Sequence, residues 1–195
     1  MDLRSGSIIS LPKSTLLALA YFLFPTTTCK NDPSIAWVVS FKNGNVGWGD
    51  KSDNGYAVCV RGQYIEDCKF KRDDTKEVVI DIKTNLMWQD NGDGNHDMTW
   101  QEAFRYAKKL NREKFAGFDD WRVPTIEELK TIVDYDRYNP AIRKEFKNVV
   151  SGYYWSSTTD ASDSSGAWYV DFNGGGDGWY RKSASNYVRC VRAGQ

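Results

Sequence analysis

Hydrophobic and polar positions alternate in the last third of the chain and recur at helical spacing in its middle. Between Ala167 and Asn173, Trp168, Val170 and Phe172 take one side of an alternating run while Tyr169, Asp171 and Asn173 take the other. That is the period-2 pattern of a strand with one buried face. Glu77 to Ile82 and Asn85 to Trp88 predict two earlier strands, followed by the turn-forming stretch QDNGDGNHD. Thr99 with Glu102, and Thr125 with Glu128, have the spacing of capping boxes that open helices. The first helix would bury Trp100, Ala103, Ala107 and Leu110, and the second Ile126, Leu129, Ile132 and Val133. Pro140 to Phe146 predicts a short third helix. From Tyr153 onward, short strand patterns separated by Gly, Asn, Ser and Asp predict antiparallel hairpins. Helices followed by hairpins give an α+β class with two to three helices and a hairpin-rich C-terminal half.

That C-terminal half is preceded by a partial copy of itself. Phe22 to Gln63 aligns with Tyr153 to Gly194 without a gap at a constant offset, 165 − 34 = 131. Seventeen of the 42 positions are identical, including Trp37/Trp168, Phe41/Phe172, Trp48/Trp179, Tyr56/Tyr187 and Cys59/Cys190. Such self-similarity is the mark of a duplicated structural unit. The expected organisation is an apolar N-terminal segment (1–21), a truncated strand-rich repeat (22–63) and a complete domain (64–195). The retained positions are mostly Trp, Phe and Gly, which predict scaffold. The exchanged positions predict a variable binding face formed by Tyr169, Asp171, Asn173, Asp177, Tyr180, Arg181, Ser185 and Asn186. Tyrosine offers contact area at low entropic cost, and short polar side chains adapt to a partner.

Composition narrows the field. With 26 basic and 26 acidic residues, the chain has no net field drawing it to nucleic acid. Aromatics reach 14%, with eight Trp and eleven Tyr concentrated in the repeated units. Leu16 to Phe24 is an apolar run preceded by Arg4 and Lys13, the pattern of a secretion signal and too short for a membrane-spanning helix. Cys29, Cys59, Cys68 and Cys190 lack the close pairing of zinc ligands, so no metal or other cofactor is expected. Their pairing stays open among three connectivities and free buried thiols.

Catalytic patterns are equally sparse. Asp90, Asn91, Asp93, Asn95 and Asp97 read as a solvated acidic turn; counted from Asn91, the sixth residue is His96 where a calcium loop needs Gly. His96 is the only histidine, and no spacing singles out a nucleophile or an acid–base pair, so an enzyme is not expected.

The run GFDDWRVPTIEEL, then DYDRYNPAI, YYWSSTT, AWYVDF and NYVRCVRAGQ resembles the bacterial DUF1566 family, also called the Lcl C-terminal domain, over about Phe70 to Gln195. The resemblance implies a C-type-lectin-like fold on secreted or surface-attached proteins, with the periplasm as the other compartment. In the collagen-like adhesin that gives the domain its name, it implies trimers that bind sulfated glycosaminoglycans. Trp121, Arg122, Pro124, Trp155, Trp168 and Cys190 within these motifs, together with Trp179, which is kept between the two copies, are expected to be structural. Trp121 would fill core, Pro124 shape the start of a helix and Arg122 pair with a carboxylate. Many members carry a cysteine where this chain has Ala107, which leaves Cys190 to pair with Cys68, with Cys59 or with nothing. The chain also lacks the basic face that a sulfated glycan would require. The expected function is recognition of a glycan, or of a protein on a host or neighbouring cell, through the variable face. The alternative is a structural or assembly module, a homo-oligomer without a small ligand.

Overall fold

A computed structural model describes the backbone of residues 21–29 and 32–33, and backbone with side chains for 34–53, 55 and 69–194. Residues 1–20, including the first part of the predicted signal, and Cys59 and Cys68 lie outside the described residues, as does the side chain of Cys29, whereas Tyr21 to Phe24, the end of the predicted signal, belong to a strand. The chain forms β1 (Tyr21–Cys29), β2 (Asp32–Ser40), β3 (Val46–Asp50), β4 (Phe70–Asp73), β5 (Val78–Asp81), β6 (Leu86–Gln89), β7 (Met98–Thr99), α1 (Trp100–Arg112), α2 (Ile126–Thr131), β8 (Tyr153–Thr159), β9 (Gly166–Asp171), β10 (Asp177–Arg181), β11 (Ser185–Asn186) and β12 (Val191–Ala193). It is a mixed α+β protein whose strands pair antiparallel throughout the four sheets, in the orders β1-β2-β3, β10-β9-β8, β11-β7 and β12-β6-β5-β4.

Both capping boxes form. Thr99 accepts from the Glu102 amide while the Glu102 carboxylate accepts from the Thr99 amide, and Thr125 and Glu128 do the same at α2. Each box satisfies two amides that the helix cannot bond internally, which fixes where α1 and α2 begin. The buried residues of α1 are Ala103, Tyr106, Ala107 and Leu110, and Trp100 packs partly buried beside them. In α2 Ile126 and Leu129 are buried, while Ile132 and Val133 are buried just past its end.

The predicted third helix does not form. Asn139, Ala141 and Arg143 donate their amides to Asn173, Phe172 and Ile132, and Ile142 bridges to Val133. Amides bonded across the fold cannot close an i to i−4 ladder, so tertiary contacts hold this segment extended. Helices among the described residues are therefore α1, α2 and one 3-10 turn at Phe115–Gly117.

The β10-β9-β8 sheet lies between two buried clusters. Trp155 and Ala167 belong to one with α1, Trp121 and Cys190; Tyr154, Val170 and Phe172 belong to the other with α2, Trp88 and Val191. The β1-β2-β3 sheet has closely related geometry. Trp37 pairs with Trp48 and Val39 with Val46; adding 131 to each number gives the observed pairs Trp168 with Trp179 and Val170 with Asp177. Between β1 and β2 the register differs by one residue from β8 and β9 until Thr28↔Ala36, which matches Thr159↔Ala167. This sheet sits on the turn joining β9 and β10. The Trp37 ring is 4.8 Å from that of Tyr135, and a Cβ at Gly174 would lie 2.3 Å from the Trp48 ring. The burial differs from that of the second unit: Phe172 is fully buried, whereas Phe41 at the matching position is 67% exposed.

Candidate functional site

Cross-strand register divides the residues expected on one variable face. Tyr169 stands opposite Gly178 and Trp155, Tyr180 opposite Ala167, and Tyr153 opposite Asp171. Opposed residues share a face, so Tyr153, Tyr169, Asp171 and Tyr180 lie together. Asp177, Trp179 and Arg181 stand opposite Val170, Trp168 and Gly166, which puts them on the other face. The expected single face is thus two, because adjacent strand residues point to opposite sides.

On the first face the tyrosine rings form a connected cluster. The Tyr153 and Tyr169 centroids are 4.5 Å apart at 34°, and those of Tyr169 and Tyr180 are 6.4 Å apart at 83°. Tyr153 is 42% exposed, Tyr180 50%, and Tyr169 is half-buried against the core beneath. Gly178 makes room for this: a Cβ there would lie 2.9 Å from the Tyr169 hydroxyl. At the far end, Asp171 accepts from the amide of Asn173 in the turn. Burial pushes the Asp171 carboxyl above its ordinary value, opposed only by that amide. Burial also raises the Tyr169 hydroxyl, and the neighbouring Tyr153, Asp171, Asp177 and Tyr180 push it further the same way. The site therefore joins aromatic surface to a desolvated carboxylate.

The second face is engaged internally. Asp177 accepts from the Val46 amide at 2.9 Å and forms an ion pair with Lys130 at 2.5 Å, its side chain almost wholly buried. Burial raises this carboxyl, against the lowering effects of Lys130 and the Val46 amide. Asp177 thus joins β10 to α2 and β3. Trp179, expected to be structural, is 42% exposed and lies across Gly166, where an added Cβ would be 3.0 Å from its ring. Arg181 lines an open hollow of about 380 Å³ with Ser165, Lys182 and Ser183. Lys182 is committed there to Thr159, to the Ser164 carbonyl and to the Trp100 ring. Ser185 is exposed on β11, whereas Asn186 beside it is buried.

The other expected structural residues are placed as follows. Trp121 and Trp155 are buried, Trp168 is half-buried, and Pro124 directly precedes the Thr125 cap. Arg122 makes two bonds to Glu128, of 2.7 and 2.6 Å. Cys190 is a free, fully buried thiol, pushed up by burial. Since thiolate is the reactive form, a thiol reagent is expected to leave Cys190 unmodified in the folded chain and to modify it on unfolding. Site-resolved alkylation with and without denaturant measures this; labelling at equal rates in both would contradict the assigned burial.

The acidic turn differs most from expectation. Asp90 is fully buried: Arg72 and Arg189 bond its carboxylate, as do the amides of Lys147 and Asn148. Asn95 is tied to Asn148 and Tyr154, so Asp90 and Asn95 fasten the fold while Asp93 and Asp97 stand exposed in the turn. His96 is exposed, its ring edge-on to Tyr106 at 6.0 Å. Among the described residues no group of three or more His, Cys, Asp or Glu could hold a metal ion.

Two features escaped the sequence reading. Tyr153 joins the cluster because β8 lies next to β9; its only local signal is an aromatic facing Phe22 in the first copy. Arg189 was not singled out, although VRCVR places two cations in an apparently buried strand. Arg189 pairs with Asp90 and Arg192 with Asp120, at 2.6 and 2.5 Å.

With this geometry in view, the model of the Lcl C-terminal domain family matches residues 77–192, more than half of the 195-residue chain. A comparison with curated proteins gives no match.

Proposed function

The chain belongs to the Lcl C-terminal domain family, and from that premise we propose that it is a non-enzymatic ligand-binding module that recognises a glycan or a protein at a cell surface. The observation that carries this reading is the cluster of Tyr153, Tyr169 and Tyr180 on one sheet face, with Tyr153 and Tyr180 exposed and Tyr169 half-buried between them and the core. Binding surfaces concentrate such rings because they desolvate a large area while freezing few rotatable bonds. The sheet is backed by two buried clusters, so the rings are already positioned before a partner arrives.

The fold in this reading is C-type-lectin-like, and the β1-β2-β3 sheet is a truncated copy of β8-β9-β10. Seventeen shared residues and the matching β2–β3 and β9–β10 registers support the duplication. Export through the Leu16 to Phe24 segment would carry the module to the surface, where trimers would add avidity. The assembly reading has one observation in its favour, the seating of Trp37 and Trp48 on the β9–β10 turn. One unit packing on the next is how a tandem array would propagate.

Binding to glycan and surface-protein arrays, compared between the native chain and a Tyr153→Ala/Tyr180→Ala variant, separates the two readings. Loss of the specific hits with the melting temperature retained is expected. Hits unchanged by the double variant would remove the tyrosine face from the binding site. An oligomer with no hits would favour assembly.

A further inference from the structure

The ligand face carries a chemical preference, an inference that rests on the binding reading above. Asp171 is half-buried, and among the described residues no lysine or arginine forms an ion pair with it. Buried Asp81 and Asp160 also lack an ion pair among the described residues, but each accepts from a hydroxyl as well as from amides of its own turn, whereas the Asp171 carboxylate accepts only from the Asn173 amide. Asp177 has Lys130, and Asp90 has Arg72 and Arg189. A carboxylate removed from water without a cation is costly, and such groups are normally found paired.

Across the strand from Asp171 stands Tyr153, and on the same face lie Tyr169 and Tyr180. The rings of Phe118, Tyr106, Trp100, Phe146 and Tyr154 each receive a lysine or arginine of the chain, but those of Tyr153, Tyr169 and Tyr180 receive none among the described residues. The groups whose charge acts on Tyr169 are all acids: Tyr153, Asp171, Asp177 and Tyr180. Tyr169 and Tyr180 stand close to perpendicular, and Asp171, two residues along β9 from Tyr169, shares their face, so aromatic surface and a negative charge lie on the same side of the sheet.

We propose that Tyr153, Tyr169, Tyr180 and Asp171 form a receptor for one cationic side chain, a lysine or arginine of a protein partner. The aliphatic stem would lie along the rings and the charged head would meet the carboxylate, the division of labour these amphipathic side chains favour. Polyanions are disfavoured at this face by the same charge.

The test uses the full chain and three pentapeptides, Gly-Gly-Lys-Gly-Gly, its Nε-acetylated form, and Gly-Gly-Glu-Gly-Gly. Binding is followed by chemical shifts of the tyrosine side chains. A single-group contact should saturate in the range of about 1 mM, with the lysine peptide binding roughly 10-fold tighter than the acetylated one. Asp171→Asn keeps an acceptor for the Asn173 amide, and Tyr180→Ala alters an exposed edge position; each should weaken the lysine peptide by roughly 5- to 30-fold with an unchanged melting temperature. The titration midpoint of the Asp171 carboxyl should also fall when the lysine peptide is bound, since a cation favours the ionised form. Equal affinity for the acetylated peptide, or no saturation by about 10 mM of the lysine peptide, overturns the proposal. If the acetylated peptide binds equally and Tyr180→Ala still abolishes it, the tyrosine face stands and only its charge preference fails. If the peptides bind and no variant alters their binding, both readings fail.

Discussion

An Asp90→Ala variant is expected to lose about 3–5 kcal/mol of folding stability, the range for removing one partner of a buried ion pair. The carboxylate joins four segments that are distant in sequence. Arg72 comes from β4, Lys147 and Asn148 from the loop before β8, and Arg189 from just before β12. Removing it leaves the Arg189 guanidinium, 3% exposed, with the carbonyls of Gln89 and Asn148 and the rings of Phe146 and Tyr154, but no counter-charge. Carbonyl dipoles and rings offset only part of the cost of desolvating a full charge. Two amides lose their acceptor as well, each worth about 1–3 kcal/mol when buried and unmade, although such losses within one network do not add. Urea unfolding of the native chain and the variant measures the difference. A loss below about 1 kcal/mol would mean that Asp90 holds nothing together.

Trp155→Ala is the second large effect, with an expected cost of about 3–5 kcal/mol. Trp155 is fully buried in the cluster with Met98, Ala103, Leu110 and Trp121, and its indole nitrogen donates to the Met98 carbonyl at 3.0 Å. Deletion leaves a cavity bounded by a helix and two sheets that cannot collapse into it, and it also strands the carbonyl. Trp179→Ala provides the contrast within the same sheet. Its ring is 42% exposed and rests over Gly166, so a cost of about 1 kcal/mol or less is expected. Both tryptophans are expected from the sequence to be structural, and that expectation alone would rank them equally. Equal measured losses would refute the burial argument that separates them.

How legible each feature was follows from the range of the interactions behind it. Thr99 and Thr125 mark helix starts because a capping box closes over four consecutive residues. The Val170 and Phe172 alternation was readable because side chains in any strand alternate, whatever lies next to them. The Pro140 to Phe146 segment resembled a helix by local composition, but the Phe172 and Ile132 carbonyls take its amides. The eight expected binding residues were correctly recognised as exchangeable between copies, yet that property does not say which side of the sheet each one occupies. Asp177 and Asn186 vary between the copies and are nevertheless turned inward.

The sequence by itself determined the α+β class, the starts of both helices, the hairpin-rich C-terminal half and the family, since each rests on contacts within a few residues or on ordered motifs. Only the tertiary structure decided that Asp90 is an interior anchor and that Tyr153 and Tyr180 join Tyr169 and Asp171 on one face. The physical reason is sequence distance. Asp90 meets Arg189 across 99 positions, and a one-residue change of register between β9 and β10 would have turned Tyr180 to the opposite face, away from Tyr169 and Asp171.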